Sequence, residues 1–275
     1  MRLICKRQAA ALLLHFAAVL LFFSGCGPEL RRPRRICPGA KSLFESLSAL
    51  RLRSGNAVPL KANGQCRLEY YAEGKPHKEN FPVRLWVNPP FEFCLQGDVA
   101  FDPKGVVVGS NEQEFWLWVK PKEVSTYWWG EWDQTSRPEK LPINPRLVLD
   151  AIGIVEVDDE EGWLLSNEGA FDVLTERNGE AGIIRRIYIH SCNYLVWRIE
   201  YLGTGGEPVA SVELYEYREV LEGFSVPTVI VISKRAEDDK MDSVRISISS
   251  VKRAKFTEKA FNRPEPKGFK HVEKI

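Results

Sequence analysis

The chain has 275 residues, with 38 basic and 37 acidic side chains for a net charge of +1, and 44% of it is hydrophobic. So even a charge balance leaves no footprint for nucleic acid, and so much apolar content excludes a disordered chain. Eight Trp and fourteen Phe are more than an average core needs.

The first residues have the order of a secretory signal: Arg2, Lys6 and Arg7 precede an uncharged run from Ala9 to Phe23 that ends in small residues. The run is too short and too poorly flanked for a spanning helix. Phe23-Ser24-Gly25-Cys26 then resembles the lipobox of bacterial lipoproteins, with Phe23 where leucine is usual. That resemblance implies cleavage after Gly25 and acylation of Cys26. Residues 1–25 are read as the signal peptide, and their loss leaves 35 basic against 37 acidic residues. Residues 26–39 are proline-rich and charged and read as a flexible tether. Arg31, Arg32, Arg34 and Arg35 lie in it, each able to add about 1 kcal/mol of attraction to anionic headgroups. The folded domain is expected over residues 40–275.

Lys41 to Leu52 places Leu43, Phe44, Leu47 and Leu50 on one stripe, with Ala40 beside it and Ser42 as a cap, which predicts an amphipathic helix of three turns. From Gly64 the period changes to two, as Cys66, Leu68 and Tyr70 alternate with Arg67, Glu69 and Tyr71. Strands are expected at 83–87, 91–95, 99–101, 106–108, 114–120 and 124–130, with Gln96-Gly97-Asp98 among the separators. Their short connections are hairpin lengths, so the pattern is an antiparallel meander. Asn144-Pro145 opens a second helix through Leu147, Val148 and Ala151, ended by Gly153. Strands resume at 162–167, 171–177, 183–189, 195–202, 209–217, 228–234 and 243–253. The fold class is therefore mainly β, a single strongly curved antiparallel sheet closed by a few short helices.

Phe115-Trp116-Leu117-Trp118-Val119 is apolar on both faces, as is the following strand with Tyr127, Trp128 and Trp129. Both strands must be covered on both sides, and helices laid into a half-barrel would cover one of them. Cys37, Cys66, Cys94 and Cys192 remain for disulfides, with three pairings open; Cys66 and Cys94 belong to strands separated by a third, which disfavours that pair. Their spacing matches no zinc site. His190-Ser191-Cys192-Asn193 has the look of a thiol beside a base, yet its position fits a hairpin turn and no orienting group can be named. Glu156-Val157-Asp158-Asp159-Glu160-Glu161 lacks the spacing of a calcium loop and reads as a solvated turn. No cofactor, no metal and no catalytic residue is expected.

Several stretches in order resemble the LolA/LolB-like family of lipoprotein carriers and acceptors. Leu85-Trp86-Val87-Asn88-Pro89-Pro90-Phe91-Glu92-Phe93 is similar to the family's second strand, proline turn and third strand. Phe115 to Pro121 resembles its aromatic strand and polar turn, and Asn144 to Leu149 its mid-chain helix. Arg186–Ile189, Leu195–Arg198, Val209–Tyr217 and Gly223–Pro227 resemble its later strands, and Phe256 with Phe261 to Gly268 its closing segment. The resemblance implies an incomplete barrel of about eleven strands around an apolar cavity that receives acyl chains. It departs at Pro89, where the soluble carriers have a basic residue that helps hold a helical lid.

The expectation is thus a non-catalytic cell-envelope lipoprotein facing the periplasm, held by acylated Cys26 and binding acyl chains of a lipid or lipoprotein. Trp86, Phe93, Trp116, Trp118, Trp128 and Trp197 are the candidate cavity lining. Gly27 lacks the aspartate that resembles an inner-membrane retention signal, which favours the outer membrane. The alternative is an interaction lipoprotein of the same fold, with a filled core, that binds an envelope protein.

Overall fold

The computed structural model describes residues 37–72, 75–99, 102–121, 124–132, 145–155, 157, 161–178, 182–203, 205–235, 240–257 and 259–275. The signal-like segment, Cys26 and the four tether arginines lie outside the described residues, as do Glu156 and residues 158–160 of the acidic run.

The first helix, α1, runs Leu43–Gly55. Ser42 Oγ accepts from Glu45 N at 3.2 Å, and the Glu45 carboxylate accepts back from Lys41 N at 2.8 Å, so both ends of the entry turn are satisfied. Leu47 and Leu50 are buried as the periodicity requires, but Phe44 is exposed, contrary to its expected place on the same stripe. The second helix, α2, is the short segment Pro145–Asp150.

Two meanders make one sheet. The first is β1 Leu60–Ala72, β2 Lys75–Asn88, β3 Glu92–Val99, β4 Asp102–Ser110, β5 Glu114–Val119 and β6 Thr126–Glu131. The second is β7 Trp163–Glu168, β8 Phe171–Asn178, β9 Gly182–His190, β10 Val196–Leu202, β11 Pro208–Leu221, β12 Phe224–Arg235 and β13 Met241–Arg253. Within each meander neighbours in sequence pair antiparallel, and β1 joins β13 with Cys66 opposite Ile246. A fourteenth strand, β14 His271–Lys274, adds parallel to β6. The sheet is a single curved, open one of fourteen strands, against about eleven expected. Separate strands at 91–95 and 99–101 were expected on either side of a break at Gln96-Gly97-Asp98. Instead β3 continues through Gly97, because a side chain there would lie 2.6 Å from the Phe81 ring that crosses it. Asp98 then closes the β3–β4 hairpin by accepting from Arg84 and from Lys104 N.

The main core lies between one sheet face and the layer formed by α1, α2 and residues 151–155 and 157. A second, smaller core lies on the opposite face of β2–β6, where Phe256, Phe261 and Phe269 of the chain after β13 cover Trp116, Trp118 and Tyr127. The prediction that β5 is covered on both sides is met, with α2 on one face and the C-terminal segment on the other, and β6 likewise sends Trp128 to the main core and Tyr127 beneath the C-terminal segment.

Cys37 is bonded to Cys192 in the turn between β9 and β10. Beside that bond, the buried carboxylate of Asp172 accepts from Ala40 N and from Asn167 Nδ2. The compact unit that the structure describes begins at Cys37, three residues before the boundary expected at residue 40. Cys66 and Cys94 are free and buried, separated by β2 and belonging to opposite cores. Burial pushes the Cys66 thiol up to about 12. Burial likewise raises Cys94 to about 11, against small opposing effects of Gln96 and Lys104. Because both folded-state values lie above the ordinary value of 9.0, their contribution to stability is fully present below pH 9 and is lost as pH rises toward 11–12. Maleimide labelling near neutral pH is expected to modify neither thiol in the folded protein and both in denaturant; fast labelling of the native protein would contradict this burial.

Candidate functional site

The concave face is apolar throughout and aliphatic where β1, β2, β12 and β13 meet. Inward positions of β1 and β2 supply Leu60, Ala62, Leu85 and Val87, and those of β12 and β13 supply Ile230 and Ile248. Ile152 closes the space above them, leaving an apolar crevice of about 10 Å³. That is room for roughly one water, against about 300–1,000 Å³ in a ligand pocket. Ile152, Ile154, Val155 and Val157 of the covering segment are all buried and pack in the main core with these inward residues.

The described residues of this cover after Asp150 are in no helix or strand, so their carbonyls need partners from elsewhere. α1 supplies them. Arg51 Nε donates to Val157 O at 3.1 Å, Ser54 Oγ to Val155 O at 2.9 Å, and Arg53 Nε to Gly153 O at 2.8 Å. Arg53 Nη2 also donates to Ser225 O at 2.6 Å, and its guanidinium lies 5.2 Å from the centre of the Tyr217 ring. Burial lowers the pKa of Arg53, with the Tyr217 hydroxyl opposing the shift, and burial raises that of Tyr217. At the start of the cover, Tyr201 OH donates to the buried Asp150 carboxylate, and Arg185 pairs with both Asp150 and Glu176 beneath the Trp163 ring. Burial is the largest influence on Arg185 and lowers its pKa, but Asp150, Glu176 and Tyr201 together carry it above its ordinary value.

The six aromatics expected to line a cavity do not share a face. Phe93 and Trp128 belong to the main core. Trp86, Trp116 and Trp118 face the other way, beneath the C-terminal segment. Register makes this unavoidable, since Trp86 pairs with Cys94, Cys94 with Gly109, Gly109 with Trp116 and Trp116 with Trp129, one row on the outer face. Gly109 has no side chain because one would lie 2.5 Å from the Trp116 indole. Trp197 stacks on Phe171 with centroids 4.5 Å apart and belongs to neither core. Size drew the reading to tryptophan, whereas the concave face is built from smaller alternating residues such as Leu60, Ala62 and Val87. Their alternation was the available signal.

The sulfur of Cys192 is held in the disulfide, and His190 stacks on Phe171, so neither belongs to a nucleophile and base pair. Among the described residues, no group of three His, Cys, Asp or Glu stands where it could hold a metal ion. Among the same residues, no helix is long and apolar enough to cross a membrane.

No protein-family model matches the sequence, and no curated protein matches it. Solved structures do. A domain described as an outer membrane lipoprotein-sorting protein from Vibrio parahaemolyticus aligns with a TM-score of 0.57 at 10% identity, over 80% of this chain and 97% of that one. A DUF1329 family protein from Desulfovibrio piger aligns with a TM-score of 0.55 at 12% identity, over 82% and 98%. A LolA superfamily protein from Nitrosomonas europaea aligns with a TM-score of 0.49 at 13% identity, over 82% and 99%. At such identities the likeness is one of fold alone.

Proposed function

We propose that this chain, which has a LolA/LolB-like fold, is an envelope lipoprotein that takes acyl chains of a lipid or lipoprotein onto its concave face when the 145–157 cover lifts. The observation that carries this reading is an apolar sheet face that is aliphatic where β1, β2, β12 and β13 meet, and is closed there by the irregular residues that follow α2. The cover is tied to α1 through single side chains, Arg51, Arg53 and Ser54. Displacing it exposes an apolar trough lined by Leu60, Ala62, Leu85, Val87, Ile230 and Ile248. Hydrophobic transfer, at about 0.8 kcal/mol per buried methylene, then selects for chain length and not for headgroup. Acylation of Cys26 holds the protein at one bilayer, so it receives or presents acyl chains there and does not shuttle. No covalent chemistry is involved.

The crevice of about 10 Å³ favours a second reading, in which the core stays filled and the protein binds an envelope protein. Native mass spectrometry of the Cys26→Ala protein, before and after incubation with vesicles, separates the two. Acyl-chain binding predicts a lipid-bound species removed by solvent extraction and restored by added lipid. A protein that stays lipid-free under both conditions contradicts it and leaves the filled-core reading.

A further inference from the structure

α1 buries Leu47 and Leu50 as a surface helix does, but it also turns its charged residues toward the protein and two large apolar residues outward. Its charged residues are engaged with the protein: Glu45 with Tyr194 OH, Arg51 with Val157 O, and Arg53 with Gly153 O and Ser225 O. Its outward side presents Phe44 and Leu52, 62% and 67% exposed, with Ser48 and Gly55 between them and no charged side chain in the stripe. Phe44 and Leu52 are eight residues apart, about 12 Å along the helix, so both can lie on one flat surface.

The position of this helix relative to the tether gives the stripe its meaning. α1 begins beside the Cys37–Cys192 bond, where Glu45 meets Tyr194 of the β9–β10 turn. It ends near the start of β1, whose Leu60 pairs with Val87 of β2 and Arg253 of β13. It therefore runs along the end of the sheet from which the tether leaves. The exposed Phe91 of the β2–β3 turn and Leu221 before the β11–β12 turn are at that same end. Only residues 27–36 separate Cys26 from Cys37, at most about 40 Å of extended chain. Arg31, Arg32, Arg34 and Arg35 lie within it, a basic segment of the kind that anionic lipid attracts.

We infer that the outward stripe of α1 is a membrane-contact surface: Phe44 and Leu52 enter the interfacial region of the bilayer that holds Cys26, fixing the end of the half-barrel that faces the lipid. This rests on the proposed acylation of Cys26 and adds an orientation that the anchor alone does not set. An amphipathic helix lying in the interface buries its apolar residues among headgroups and upper acyl chains. It does so here with two residues, which suits an already tethered domain that needs orientation and not recruitment.

The test uses full-length acylated protein in vesicles of phosphatidylethanolamine and phosphatidylglycerol, carrying one of three exposed substitutions, Phe44→Cys, Leu52→Cys or Met241→Cys, labelled with an environment-sensitive fluorophore. Buried Cys66 and Cys94 and the disulfide leave the new thiol as the reactive one. Met241 is 48% exposed at the start of β13, at the opposite end of the sheet. Labels at positions 44 and 52 are expected to shift to shorter wavelength and to be quenched several-fold more by lipid-borne quenchers than the label at 241. Equal, water-like signals at all three positions in anchored protein overturn the inference, as does a lipid signal at 241 alone. The mass of the N-terminal peptide reports acylation separately; an unmodified Cys26 overturns the underlying reading and this inference with it, whereas a modified Cys26 with water-like labels overturns only the inference.

Discussion

Replacing Cys37 and Cys192 together by serine is expected to lower the stability of the domain by about 2–5 kcal/mol. The two residues are 155 apart in sequence, so the bond closes a long loop in the unfolded chain. The entropy it removes there reaches about 5 kcal/mol in the chain-entropy model. Native contacts add to the loss, since Asp172 is fully buried and holds Ala40 N through both carboxylate oxygens. A freed Cys37 segment would withdraw those donors from a carboxylate that has little access to water. Chemical denaturation of the double variant, and of the wild type with and without reductant, measures the difference. A change under about 1 kcal/mol would mean that the unfolded chain is already held compact near these residues.

Arg53→Met is expected to cost about 2–4 kcal/mol, because methionine keeps the apolar stem but leaves the carbonyls of Gly153 and Ser225 without their charged donor. The stacked position over Tyr217 and Phe224 is also lost. Arg53→Lys should recover only part of this, since an ammonium cannot reproduce the two-pronged contact. The functional consequence has the opposite sign. If binding requires the cover to lift, the apparent affinity for an acyl chain is reduced by the fraction of molecules that are closed. Arg53→Met should therefore unfold at lower denaturant yet take up lipid faster and more tightly. Loss of stability with no gain in uptake would make Arg53 a purely structural residue and the cover a permanent part of the core.

Most of the strand order was legible because hairpin lengths and period-two alternation are local properties. The two long meanders follow from short polar turns such as Asp102-Pro103-Lys104-Gly105 and Glu222-Gly223. The pairing of β1 with β13 is not local, and nothing near Cys66 or Ile246 announces it. β14 was missed because all four residues of His271–Lys274 are on the exposed side and carry no alternating pattern. It is held by backbone pairing to β6 and by the Trp128 and Glu273 contact, which no window of sequence contains. The two-sided apolarity of Phe115–Val119 was read correctly as two covers, but the identity of the second cover was not. Phe256, Phe261 and Phe269 are spaced too irregularly to reveal that they return to Trp116 and Trp118. Phe44 illustrates the limit of periodicity, since it sits one position from Leu43 and the wheel alone does not say which edge of an apolar stripe meets the core.

The concave face was legible only in part. Its residues alternate as they should, yet its closure depends on where residues 151–157 lie, and that is set by Arg51, Arg53 and Ser54 reaching backbone carbonyls about a hundred positions away. Side chain to carbonyl contacts of this kind leave no sequence signature, because any carbonyl can accept them.

The most direct test of acyl-chain binding is to expose the protein to a phospholipid with a photoreactive group near the end of one acyl chain, irradiate, and map the modified residues by peptide mass spectrometry. Labelling of β1, β2, β12 and β13 at inward positions such as Ala62, Leu85, Ile230 and Ile248, stronger in Arg53→Met than in wild type, is the predicted result. Absence of labelling there, or labelling confined to Trp86, Trp118 and the C-terminal segment on the opposite face, would contradict it.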